Sequence, residues 1–80
     1  MALYKITGPD TSIIEAVIVN AGNDNAALML ATSPGVFPES LRGRVIRDEW
    51  RELAAVEYLG TSVPADRPAG VLAVQRPQNR

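Results

Sequence analysis

Apolar and polar side chains alternate from Leu3 to Thr7 (LYKIT), with Tyr4 and Ile6 to one side and Leu3, Lys5 and Thr7 to the other. A period of two predicts a half-buried strand. Gly8-Pro9-Asp10-Thr11 then supplies a free φ, a fixed φ and a short side chain able to bond its own backbone, so a hairpin is expected. Ile13 to Val19 (IIEAVIV) is β-branched enough to be the returning strand. Its one polar member, Glu15, sets the expected facing: Ile14, Ala16 and Ile18 inward, Glu15, Val17 and Val19 outward. The period changes in NAGNDNAALMLATSPG. Asn23 or Asn25 can accept from the free amides of a first turn, Asp24 suits the positive end of a helix, and Ala26 to Ala31 are good helix formers. Ser33-Pro34-Gly35 ends that main helix, because the residue before a proline is driven out of the helical region.

Val36 to Arg44 (VFPESLRGR) reads as a loop with one turn over Pro38 to Leu41, its Phe37 and Leu41 plugging the edge of the core. Arg42 to Gly60 (RGRVIRDEWRELAAVEYLG) poses a choice between one long helix and a short helix that hands over to a strand. At about 100° per residue, Ile46, Trp50 and Leu53 share a narrow stripe, but a continuing helix would set Glu57 in the middle of that stripe and Leu59 nearly opposite it. Such a helix would bury a lone carboxylate. The expectation is therefore a short helix over about Asp48 to Ala54, then a strand over Ala55 to Thr61 with Val56 and Tyr58 inward and Glu57 outward. Thr61 to Gly70 (TSVPADRPAG) is a loop, Val71 to Gln75 (VLAVQ) a last strand, and residues 76–80 (RPQNR) a flexible polar tail.

These elements predict an α+β domain over residues 1–75. Its sheet of about four largely antiparallel strands, in the chain order ββα, loop with short helix, ββ, carries one main helix on one face. The expected core is Tyr4, Ile6, Ile14, Ile18, Leu28, Leu30 or Ala31, Trp50, Leu53, Val56, Tyr58, Leu72 and Val74.

Composition narrows the chemistry. Eighty residues allow one small core and no second lobe, since a chain of this size buries only about 60% of the surface it exposes when unfolded. With 46% hydrophobic and 21% charged residues it is too apolar to be disordered. The longest apolar run, Ala26 to Ala31, falls far short of the roughly 20 residues of a spanning helix, and Lys5, Asp10 and Glu15 interrupt any signal segment. A cytoplasmic protein without a membrane anchor is expected. Cysteine and histidine are absent, which removes disulfides, thiol nucleophiles, the usual zinc sites and the commonest acid–base group near neutral pH. The net charge of -1 divides into -3 on residues 1–41 and +2 on residues 42–80, so the molecule as a whole has no field that draws in nucleic acid.

Four stretches are candidates for function. Arg44, Arg47 and Arg51, at spacings of three and four, would form a basic stripe on a helix suited to phosphates, while Asp48 is placed to neutralise Arg44 and Arg51. Asn20 to Asn25 (NAGNDN) holds oxygen ligands but lacks the alternating acids, central glycine and terminal Glu of a calcium loop, so capping accounts for it and no metal or cofactor is expected. Asp48 and Glu52 are the one acidic pair on a common face, and both read as exposed. The hydroxyls Thr11, Ser12, Thr61 and Ser62 have no histidine to activate them. Neither arrangement makes an enzyme, and no small-molecule substrate is expected. Finally, the sheet face away from the helix would display Leu3, Val17, Val19, Leu59, Val71 and Ala73 among only a few polar residues, and an apolar patch rimmed by charge is a partner surface.

The segments YKITGPD, IVNAGNDNAALMLA, YLGT and GVLAV together resemble small uncharacterised proteins of bacterial phages and prophages. The resemblance rests on strand and helix grammar and implies a non-enzymatic accessory protein or an inhibitor that occupies a host surface. The sequence thus reads as a non-catalytic protein-interaction domain that binds a protein or a second copy of itself through Leu3, Val17, Val19, Leu59 and Val71. The alternative is a nucleic-acid-binding module using Arg42, Arg44, Arg47 and Arg51, with Arg76 and Arg80 from the tail.

Overall fold

In the computed structural model, which describes residues 1–61 and 67–77, the alternating LYKIT stretch lies in β1 (Ala2–Thr7). It pairs antiparallel with β2 (Ala16–Ala21), setting Tyr4 opposite Val19 and Ile6 opposite Val17. Two strands from the second half of the chain flank this hairpin. β3 (Ala55–Thr61) adds antiparallel to β1, and β4 (Gly70–Gln75) adds antiparallel to β2, giving the order β3-β1-β2-β4. With helices α1 (Asp24–Ala31) and α2 (Leu41–Leu53) the fold is α+β, as the succession of patterns along the chain predicts. The loop expected over Thr61 to Gly70 and the tail expected over 76–80 fall partly outside the described residues, at 62–66 and 78–80.

Helix α1 starts where its cap requires. Asn23 is extended, and its side chain accepts from the Ala26 amide at 2.8 Å, with Asp24 in the first turn. At the far end Thr32 Oγ1 donates to the Leu28 carbonyl (2.9 Å) and Ser33 Oγ to the Leu30 carbonyl (2.6 Å), which satisfies oxygens the helix leaves open.

Helix α2 is longer than expected. It begins at Leu41 rather than near Asp48, so the last four of the nine residues read as a loop, Val36 to Arg44, are helical. Ser40 caps it, accepting from the Gly43 amide at 3.0 Å. Gly43 is no breaker here: it is buried where the helix passes the Pro38 backbone, and a Cβ there would overlap the Pro38 carbonyl. In a free helix Gly→Ala gains roughly 1 kcal/mol. Here Gly43→Ala is expected to lose about 1–3 kcal/mol instead, because Pro38 must be pushed aside. A thermal melt reads the sign, and a raised midpoint would mean that the two segments separate freely.

The core is a single cluster on one side of the sheet. Tyr4 and Ile6 of β1 and Val17, Val19 and Ala21 of β2 meet Ala27 and Ala31 of α1 and Ile46 and Trp50 of α2, with Ile14, Val36 and Phe37 supplied by the connections. Helix α1 lies against the strands on this face, and α2 joins the same cluster through Ile46 and Trp50, with Trp50 set over the β1–β2 connection. Trp50 is fully buried, lies over Gly8, packs edge-on against Phe37 at 5.2 Å, and donates through Nε1 to the Asp10 carbonyl at 2.9 Å.

The facing of β2 is the opposite of the expectation. Val17 and Val19 are fully buried in the core, whereas Ile18 turns to the other face opposite Lys5. The strand starts at Ala16, after a bend at Glu15, so Ile14 and Glu15 do not set its phase. A bulge corrects β4 in the same way. Val19 pairs with Val71 and Ile18 with Ala73, so Leu72 is the extra residue. Val71 and Val74 both pack against the core, and Leu72, expected inside, is 42% exposed. Leu53, on the last residue of α2, is 67% exposed because the chain turns away into β3 at that point. Tyr58 does turn to the side of Tyr4, meeting its ring edge-on at 5.8 Å, but on an edge strand it stays largely open.

Candidate functional site

The sheet face opposite the helices is built from the register. Lys5 of β1 lies between Ile18 of β2 and Glu57 of β3, Ile18 lies beside Ala73 of β4, and Leu3 lies between Asn20 and Gly60. Of the five residues expected to line it, Leu3 alone is placed there by its register, half-buried. Val17, Val19 and Val71 belong to the core side, and Leu59 is the extra residue of a second bulge, between Leu3 and Tyr4, at 46% exposure. That bulge needs Gly60, whose φ of 138° is a conformation side chains disfavour. One end of the face is occupied by the chain itself: Asn20 is buried, and its Nδ2 donates to the carbonyls of Arg67 (2.8 Å) and Pro68 (2.9 Å). An amide within an otherwise apolar strand is the sequence signal for such a partner. Among the described residues, the remainder of this face is half-buried Leu3, Ile18 and Lys5 with exposed Ala73 and Glu57.

The arginines do not act together. By helical phase Arg44, Arg47 and Arg51 lie along one flank of α2 and Arg42 on the other. Arg51 is committed to the end of α1, where its Nε donates to Thr32 Oγ1 (3.1 Å) and its Nη2 to the Thr32 carbonyl (3.0 Å). A cation there also suits the negative end of a helix. Arg42 donates to Ser12 Oγ at 2.8 Å. Ser12 in turn, through its side chain and its backbone amide, holds the Asp10 carboxyl below the ordinary aspartate range, so Asp10 is ionised and no proton donor near neutrality. Asp48 reaches Arg47 at 3.4 Å and neither Arg44 nor Arg51, which is the one ion pair among the described residues.

Arg44 and Arg47 instead line a cleft of about 310 Å³ between α2 and the connection from α1. Ser33, Pro34, Phe37 and Glu39 form its other walls. The sequence singles out the two arginines, but nothing in it shows that the connection folds back beside them. Among the described residues no three acidic side chains come together to hold a metal, and no helix is long and apolar enough to cross a membrane. No protein-family model matches the chain, and neither a curated protein nor a solved structure is similar to it.

Proposed function

We propose that the protein is a non-catalytic interaction domain whose sheet face, around Leu3, Ile18 and Ala73, docks against a second copy of the same chain. The observation that carries this reading is that the one core cluster, to which both helices contribute, lies on one side of the sheet, and neither helix contributes to the apolar part of the other side. The face suits its own duplicate. It bears one lysine and one glutamate, Lys5 and Glu57, so a two-fold arrangement can bring each against its opposite, and a net charge of -1 opposes association little. Four strands at about 4.8 Å and six residues at about 3.4 Å bound the area at roughly 400 Å² per copy, less the end held by Asn20 with Arg67 and Pro68. That is at most half of the roughly 800 Å² per partner of a standard interface, so the dimer is weak and concentration-dependent.

Ile18→Glu is expected to abolish association while leaving the melting transition cooperative, since Ile18 is only half-buried, so the new carboxylate can reach water in the monomer but is desolvated in the dimer. Sedimentation velocity up to about 1 mM, the concentration at which even a 1 mM dissociation constant shows, checks it. A strict monomer over that range overturns the second-copy assignment, and a different protein, such as the host target implied by the resemblance to phage proteins, becomes the occupant to test.

Lack of catalysis is part of the proposal and rests on the donor set: the cleft has one carboxylate, Glu39, and the chain has no histidine or cysteine. A cytoplasmic site of action belongs to the same reading. The nucleic-acid alternative has less support, because Arg42 and Arg51 are engaged with Ser12 and Thr32. Steeply salt-dependent binding to single- or double-stranded probes would favour it.

A further inference from the structure

We infer that the cleft beside α2 binds a small organic carboxylate, held by Arg47 and Arg44 with its apolar body against Phe37 and Pro34. This site lies in the helix layer and does not depend on the dimer. The starting point is an unmet donor: Arg47 Nε is buried and has no hydrogen-bond partner among the described residues, although a buried guanidinium N–H ordinarily finds one. The same side chain holds Asp48 only at 3.4 Å. The nearby acceptors that end α1 are engaged elsewhere, the Thr32 carbonyl and hydroxyl by Arg51 and the Leu28 and Leu30 carbonyls by Thr32 and Ser33. The side chain of Arg44, one turn away on the same wall, makes no hydrogen bond or ion pair among the described residues.

A carboxylate is the group that fits. Its two oxygens match adjacent N–H donors of a guanidinium, so one ligand can take Nε and an Nη of Arg47 at once, replacing the long contact to Asp48. Two arginines against Glu39 give the lining a formal charge of +1, which balances a monoanion and leaves the second charge of a phosphate monoester facing Glu39. A volume of about 310 Å³ is at the small end for ligand sites, the size of a single ring with one acidic group.

Benzoate, phenyl phosphate and benzamide, titrated separately into the full chain and followed by amide chemical shifts, test the inference. Saturable shifts with benzoate centred on Ser33, Glu39, Arg44 and Arg47, weaker binding of phenyl phosphate and none of benzamide are expected. Arg47→Gln should weaken benzoate by about tenfold or more, the effect of losing a hydrogen bond to a charged group. Arg44→Gln, at an exposed position where folding is not at stake, should weaken it as well. Absence of saturation with benzoate, tighter binding of phenyl phosphate, or affinity unchanged in both variants overturns the assignment.

Discussion

Trp50→Ala is expected to leave most of the chain unfolded at room temperature. The indole is fully buried, fills the space over Gly8, meets Phe37 edge-on, and supplies the donor for the Asp10 carbonyl. Truncating a buried tryptophan costs about 3–5 kcal/mol, and leaving the part-buried Asp10 carbonyl without its donor adds to that loss. A domain of 80 residues holds about 4–12 kcal/mol in all. The loss is also structural, because Trp50 joins α2 to the connection between β1 and β2. A urea titration followed by circular dichroism reads the change, and Trp50→Phe, which keeps an aromatic ring but not the N–H, separates the two contributions. A loss below about 1 kcal/mol for the alanine would show that α2 is not anchored through this residue.

Val17→Glu and Ile18→Glu, neighbours in one strand, are expected to behave in opposite ways. Val17 faces Ile6 and Val74 within the core and has no exposed surface, so a carboxylate there must either stay ionised away from water or take up a proton. Either costs several kcal/mol, enough to abolish the cooperative transition at neutral pH. The same change one residue on places the charge on the open face, and the fold survives. If Val17→Glu folded normally and merely lost association, β2 would have to present Val17 outward after all.

That contrast marks where the sequence stops being legible. Strand, helix and breaker signals give the α+β class and all four strands, and a cap at Asn23 or Asn25 is readable because a side-chain acceptor before an alanine-rich run has few other uses; the structure takes Asn23. The end of α2 and start of β3 are readable from Glu57, whose charge cannot sit in the apolar stripe. The facing of β2 is not, since Ala16 to Val19 is apolar throughout and a one-residue bend at Glu15 exchanges its two sides. Gly60 inside a strand pattern does signal the bulge in β3, but nothing in GVLAVQ marks the one in β4. The start of α2 is masked by Pro38 and Gly43, which read as breakers from propensity alone, although Ser40 ahead of the helix is a legible cap. The cleft lies beyond local reasoning, because it exists only once residues 33–39 fold against α2.

The strand order β3-β1-β2-β4 has a consequence for how the chain is made. A ribosome releases the middle of the sheet first, residues 2–21, and the outermost strands last, from residue 55 onward. Until those strands follow, the nascent hairpin offers a bare hydrogen-bonding row on each flank, and on its greasy side the cover arrives in turn, first the eight-residue α1 and then α2. The hazardous period for misassembly is therefore fixed by the time needed to translate the arginine-rich helix and the two edge strands after it, and slowing elongation there prolongs it.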